Sequence, residues 1–233
     1  MKKLVTTLCA VAALALVANS ACAANAVRIS QVYGGGGGST GTYQYDFVEL
    51  FNSSGVPVNI GGWAVEYGSS TGTSFGSSAN NYYNIPANTI IQPCKYLLIQ
   101  LGSAGSGGSA FPVTADLASP TTGPNISATA GKMALVSQAG ANLPCTGNSV
   151  GGVYVDVVAW NGNCFEGAAG PGLNSTQSLV RGGAGMNDTD NNLADFSISL
   201  SPVPRNSGTA ANAACLSTPS MNSTWGRVKS IYR

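Results

Sequence analysis

Residues 45–67 read YDFVELFNSSGVPVNIGGWAVEY. Two runs inside this stretch, Asp46 to Phe51 and Trp63 to Tyr67, are rich in β-branched and aromatic residues and alternate with a period of two, while the text between them is turn chemistry. That pattern is a pair of β-strands joined by a polar loop. Working outward, Val27 to Tyr33, Tyr96 to Leu101, Lys132 to Val136 and Val153 to Trp160 carry the same signal. In the first of them Val27, Ile29, Gln31 and Tyr33 alternate with Arg28, Ser30 and Val32. No window has the period of an amphipathic helix, and Gly and Pro recur too often for one. Each half-apolar strand must bury one face, so the expected fold is an all-β antiparallel sandwich or barrel.

The first two strands are separated by a glycine-rich run that begins GGGGGSTGTYQY at Gly34. A phosphate cradle needs a strand before such a run and a helix N-terminus after it. Here a strand follows, so the run reads as a long flexible hairpin loop. Gly102 to Gly108, GSAGSGG, is a second loop of the same kind.

The chain opens MKKLVTTLCAVAALALVANSACA, with two lysines, an apolar run from Leu8 to Ala18 and the triplet Ala21-Cys22-Ala23. This is the plan of a secretory signal peptide, residues 1–23, cleaved after Ala23. The run falls short of the roughly 20 residues that cross a bilayer. A lipoprotein reading of Cys22 is disfavoured by Asn19, which stands where a lipobox carries Leu. The ten Lys and Arg against nine Asp and Glu of the whole chain become eight against nine once Lys2 and Lys3 are removed. Such a balance has no basic footprint for nucleic acid. About 210 residues then remain, a length that fits one all-β domain.

Cys94, Cys145, Cys164 and Cys215 survive cleavage. An even number in an exported chain reads as two disulfides, with connectivities that sequence does not separate. The expected pairing is Cys145 with Cys164 and Cys94 with Cys215. There is no C-x-x-C, and the chain holds no histidine, so a Cys/His zinc cluster is excluded.

The segments VRISQVYGGGG, YDFVELFNSSGVPVNIGGWAVEY, IPANTIIQPCKYLLIQ, GKMALVSQAG and VDVVAWNG stand in one order. In that order they resemble the lamin-tail domain family in its secreted bacterial form. The matching blocks are Ile29 to Tyr33, Phe47 to Asn52 and Gly61 to Trp63. Further matches are Cys145, Asn163 to Gly167, Asp188 to Asn192 and the closing Pro204 to Ser207. The resemblance covers about residues 26–207. It implies an immunoglobulin-like β-sandwich, residues 24–207, that is non-catalytic, with residues 208–233 as a C-terminal extension. Fold follows more directly than function.

Histidine-dependent triads are excluded by composition. A Ser-Lys pair would have to use Lys95 or Lys132, both in strand text where a solvated lysine is expected. Glu49 and Glu66 lie on strands and could face each other, as a glycosidase pair would require. Glu49 reads more simply as a polar residue of an outer sandwich face or a partner for Arg28. Asp188, Asp190 and Asn192 stand at positions 1, 3 and 5 of a calcium loop, with Asp195 as a fourth oxygen ligand. Leu193 occupies the EF-hand glycine position, however, and Ser199 the bidentate glutamate position. The expectation is therefore an Asx-rich turn that needs no metal, with structural calcium as the alternative; no other cofactor is required. Tyr43, Tyr45, Tyr82 and Tyr83 sit in loop-like text suited to adaptable ligand contact. Trp63 reads as core. Trp225, Val228, Ile231 and Tyr232 recur at helical spacing within the basic segment Trp225 to Arg233, a candidate docking tail.

Together these readings give an exported, non-catalytic module without a membrane span. It would bind, adhere or scaffold through a protein or glycan partner at or outside the cell envelope. The alternative is an accessory subunit of a metal-dependent extracellular hydrolase or nuclease that uses the acidic loop 188–195.

Overall fold

The structure is a computed structural model and describes residues 26–138, 142–145 and 152–216. The leader and the tail from Trp225 to Arg233 lie outside the described residues. Chain order runs β1 (Val27–Tyr33), β2 (Asp46–Asn52), β3 (Val58–Asn59), β4 (Ala64–Ser69), β5 (Ser74–Phe75), β6 (Tyr82–Asn84) and β7 (Ile90–Ile91). It continues with β8 (Tyr96–Leu101), β9 (Leu117–Ala118), β10 (Gly131–Val136), β11 (Leu143–Pro144), β12 (Tyr154–Trp160), β13 (Ser178–Arg181) and β14 (Phe196–Ser199). Two one-turn α-helices, α1 (Asn192–Asp195) and α2 (Ala213–Leu216), and 3-10 turns at Ala79–Asn81 and Gly183–Gly185 complete it. A six-stranded sheet in the order β14-β13-β1-β2-β8-β9 faces a four-stranded sheet in the order β12-β10-β4-β6. Pairing is antiparallel except between β8 and β9.

The core between the sheets is the apolar half of each strand. Ile29, Val32, Val48, Leu50, Leu97 and Ile99 from one sheet meet Val65, Met133, Leu135, Val158 and Trp160 from the other. Trp160 is fully buried and donates its indole N–H to the Ser127 carbonyl at 3.1 Å. Trp63, expected in the core, is only partly buried and packs on its rim. The strict alternation expected along β1 is broken at Ser30, where Ile29 faces Leu50 but Gln31 faces Glu49. This one-residue bulge reverses which side chains point inward. Val32 thus joins the core, and Tyr33 turns to the opposite face.

That opposite face is also covered, which a period of two does not reveal. Tyr33, Phe47 and Leu98 are roofed by Phe111, Val113 and Ala115. The glycine loops form part of the roof and are tied down. Gly37 donates to the Tyr43 carbonyl at 2.9 Å, Gly105 to Gln44 at 3.1 Å and Gly107 to Gly37 at 3.4 Å. A Cβ on Gly105 would collide with the Gly37 backbone, so close backbone approach is what these glycines supply. Asp46 anchors the same loop. Its Oδ1 accepts from Gly36 N–H at 2.7 Å and its Oδ2 from Ile126 N–H at 2.8 Å. Burial pushes its carboxyl up to about 7, against the pull of those two donors.

Residues 200–216 form a strap over the outer face. Arg205 binds the fully buried Glu49 through Nη2 at 2.7 Å and Nε at 3.1 Å, and its guanidinium stacks 3.9 Å from the Tyr96 ring. Glu49 therefore pairs with Arg205 and Ser30, not with Arg28. Ser207 N–H reaches Asp116 at 2.9 Å, and Asn212 N–H reaches the Cys94 carbonyl at 2.9 Å. Cys215 bonds to Cys94 across 121 residues of sequence. The second bridge, Cys145 to Cys164, spans 19 residues and closes a smaller cluster of Phe75, Ala134, Val136 and Val157 outside the four-stranded sheet.

Loop-closure entropy makes the longer bridge the stronger staple. Replacing Cys94 and Cys215 by serine is expected to lower stability by about 5 kcal/mol, and replacing Cys145 and Cys164 by about 3 kcal/mol, as read by denaturant unfolding. Glu66 gives a second test. It is fully buried with both carboxylate oxygens unpartnered, and burial pushes it up to about 7 from its ordinary 4.5. Between those values the folded state holds a proton that the unfolded chain has released, so stability falls as pH rises through this window. Glu66→Gln removes that loss. The stability of the variant relative to the parent is expected to rise by on the order of 3 kcal/mol between pH 4 and pH 8.

Candidate functional site

Of the four residues of the acidic stretch, Asp188 and Asp195 both face Nη1 of Arg181, at 3.0 and 3.7 Å, while Asp190 and Asn192 point elsewhere. Asp195 turns back on its own loop, accepting from Thr189 N–H at 2.8 Å, Thr189 Oγ1 at 2.9 Å and Asn191 N–H at 3.4 Å. Asn191 caps α1 by accepting from Leu193 and Ala194 N–H. Asp188 pairs with Arg181 at 3.0 Å and Arg28 at 3.4 Å. Asp190 is exposed in a left-handed conformation at φ 52°. The turn is thus built from Asx side chains on backbone donors.

Asn192 is buried and does something else. Its Oδ1 accepts from Ala159 N–H at 3.0 Å while its Nδ2 donates to the Val157 carbonyl at 2.8 Å. One carboxamide therefore stands in for the peptide unit of a neighbouring strand along the edge of β12. Glu166 extends the plug, accepting from Val157 N–H at 3.3 Å. An unpaired sheet edge is a template for further strands, and here two side chains close it.

Among the described residues, one carboxylate trio has oxygens within 4.8 Å of one another: Asp156, Glu166 and Asp188. Its centre is served by a cation of the chain itself. The fully buried Arg181 directs Nη2 at both oxygens of Asp156, 2.8 and 2.7 Å away, and Nε at the Ile29 carbonyl, 2.8 Å away. Its guanidinium also lies 4.4 Å from the Phe196 ring. Burial, then the charge of Asp156, push the Glu166 carboxyl up to about 8. A neutral Glu166 leaves Asp156 and Asp188 to share Arg181, with Arg28 beside Asp188. Arg181 and Glu166 carry no local sequence signal for this role; only the fold brings them together.

The tyrosines divide. Tyr43, expected at an exposed contact position, is buried, with its hydroxyl donated to the Pro202 carbonyl at 2.7 Å and its ring 5.3 Å from Phe111. Tyr82 and Tyr83 are not in a loop but on β6, half-buried, with Tyr83 packed on the core. Tyr45 borders a groove. The groove has a volume of about 320 Å³, and Gln100, Phe111, Val113 and Thr114 are among the residues that line it. The Tyr45 and Phe111 rings lie 6.2 Å apart and tilted by 52°, so the groove offers apolar ring surface beside the Gln100 amide. Phe111 and Gln100 escaped sequence reading, since a single aromatic before Pro112 and a glutamine within a strand are commonplace.

Glu49 and Glu66 stand on the outward faces of different sheets, because their strand neighbours Leu50 and Val65 point into the shared core. They do not flank a common cleft.

With this geometry described, comparison with known proteins adds three findings. The family model described as Lamin Tail Domain matches residues 20–162. The chain is similar in structure to a DUF4876 family protein from Bacteroides thetaiotaomicron VPI-5482, with a TM-score of 0.57 and 12% identity over 81% of this chain and 75% of that one. At that identity the likeness is one of fold. No curated protein matches.

Because Asp188 and Asp195 already serve cations and backbone donors, neither calcium nor EDTA is expected to move the melting temperature. Asp195→Ala, which strips three donors of their acceptor, is expected to cost about 1–3 kcal/mol, whereas Asp190→Ala costs no more than about 1 kcal/mol, through its left-handed backbone; thermal unfolding checks all three.

Proposed function

The chain belongs to the lamin tail domain family, and we propose that it acts as an exported, non-catalytic module whose groove beside Tyr45 binds a glycan at or outside the cell envelope. The observation that carries this reading is the groove itself: two tilted aromatic rings and one amide at the rim of a rigid sheet. Ring faces match the apolar faces of sugars, and a fixed amide pairs with hydroxyls, the usual division of labour in a small-ligand site. Two disulfides suit an oxidising compartment, and among the described residues no helix is long and apolar enough to cross a membrane.

The non-catalytic part of the proposal is supported by where the perturbed groups lie. Asp46, Glu49, Glu66 and Glu166 all have raised pKa values caused first by burial, but none of them lines the groove. The reading of the acidic loop as a hydrolase or nuclease site gains no support, since Asp188 and Asp195 are engaged within the fold and, among the described residues, Asp190 stands alone on the surface.

Retention of the mature protein on envelope polysaccharides tests the proposal. Tyr45→Ala and Phe111→Ala are each expected to weaken retention at least about tenfold, or about 1.4 kcal/mol, without loss of the folded transition. Equal retention of parent and variants would overturn the assignment of the groove, and absence of glycan binding by the parent would overturn the ligand class.

A further inference from the structure

The four-stranded sheet has an outward face roofed by the 69–76 turn and the Cys145–Cys164 bridge, and Lys132 lies beneath that roof, fully buried. Its Nζ has no carboxylate partner among the described residues. It meets the carbonyls of Ser69 at 2.7 Å and Gly72 at 2.6 Å, and Oδ1 of Asn163 at 2.7 Å. The Phe75 ring closes one side, 5.5 Å from Nζ. Asn163 is itself pinned, since its Nδ2 donates to the Gly72 carbonyl at 3.1 Å. A buried amine is therefore held in hydrogen-bond contact with the Oδ1 of an amide whose carbon lies one bond further on, at the exposed edge of the roof.

We propose that Lys132 and Asn163 condense into an intramolecular isopeptide bond joining β10 to the segment that follows β12. The Nζ lone pair adds to Cγ of Asn163, forming the C–N bond. The Cγ–Nδ2 bond then breaks with its electron pair on nitrogen, and a proton passes from Nζ to Nδ2, which leaves as ammonia. Nothing is oxidised or reduced, and no co-reactant is consumed. Orientation does most of the work, because fixing two reacting groups at near-attack distance replaces a bimolecular encounter.

Two further features serve this reaction. The nucleophile must be the free amine, and burial without a counter-charge lowers Lys132 to about 8, so roughly a quarter is unprotonated at pH 7.5. The amide carbonyl gains from an acid. Glu66 faces Ala134 on β10, two residues from Lys132 on the same side of the sheet, and such diagonal neighbours lie about 7–8 Å apart, within reach of long side chains. Space for both side chains comes from glycines. A Cβ on Gly68 would stand 2.6 Å from Cε of Lys132, and one on Gly76 would stand 2.7 Å from Oε2 of Glu66. Glu66 thus stands on the same face of the sheet as Lys132 with both carboxylate oxygens unpartnered, and it is the acid assigned to this step.

Mass spectrometry of the mature, secreted protein decides the matter. The intact mass is expected to fall short of the disulfide-bonded sequence by one ammonia, and digestion is expected to give a branched peptide linking Lys132 to Asn163, with no cleavage after Lys132. Lys132→Arg and Asn163→Ala are each expected to restore the full mass and lose the branched peptide. A parent protein of full mass, with Lys132 and Asn163 recovered in separate peptides, overturns the proposal. So does a deficit that persists in Lys132→Arg, because an Asn-Gly succinimide at Asn161 loses the same mass. Glu66→Gln is expected to leave most molecules unlinked, and unimpaired linkage in that variant overturns the part assigned to Glu66.

Discussion

A single buried guanidinium holds the two sheets in register. Arg181 leaves β13, crosses beneath β1 by binding the Ile29 carbonyl, and ends on Asp156 of β12 in the opposite sheet. Asp156 in turn accepts the Ile29 N–H at 2.6 Å, so one residue of β1 is gripped through both its backbone groups. A buried charge is tolerated only where its partners are complete. The same constraint fixes the acidic loop, since Asp188 has to stay at Nη1, and Asp195 must close the turn that keeps it there. The bulge at Ser30 follows from it too: it lies immediately after the gripped residue and lets the rest of β1 present its other face.

Once β1 has changed face, the six-stranded sheet has two apolar sides to bury. The core takes one. The second needs material from outside the strands, and the chain supplies it from three places: the glycine loops, the 110–116 segment and the strap. Carboxylates of the strands receive these pieces. Asp46 takes two backbone amides and Glu49 takes Arg205. Each buried acid is thus a socket for a segment remote in sequence, and the groove beside Tyr45 is lined by one of those segments.

The strands were readable because period and β-branched content are local properties. Asp46 to Phe51, Tyr96 to Leu101 and Lys132 to Val136 all fall within one or two residues of β2, β8 and β10. Short strands were less visible: Tyr82 and Tyr83 look like loop because β6 spans three residues and is only half-buried. The sites depended on long-range encounters. Nothing around Glu49 announces an arginine 156 residues away. Asn192 shows the same limit from within a motif, for its spacing suggested a ligand of a cation, whereas its carboxamide serves a strand edge. Tyr43 and Tyr45, two residues apart in similar text, separate into core and groove only because Tyr43 alone lies beneath the segment that carries Phe111.

The Cys94–Cys215 bridge has a mechanical meaning apart from its thermodynamic one. Tension applied to the chain beyond Leu216 enters the fold at Cys215 and passes through a covalent bond to Cys94, two residues before β8. From there the covalent route runs back along the chain to β2, which is laddered to β1 on one side and β8 on the other. Residues 95–214 are bypassed by that covalent route, β13, β14 and the strap among them. The strap, with the Arg205 that binds Glu49, therefore lies off the covalent line of such a pull.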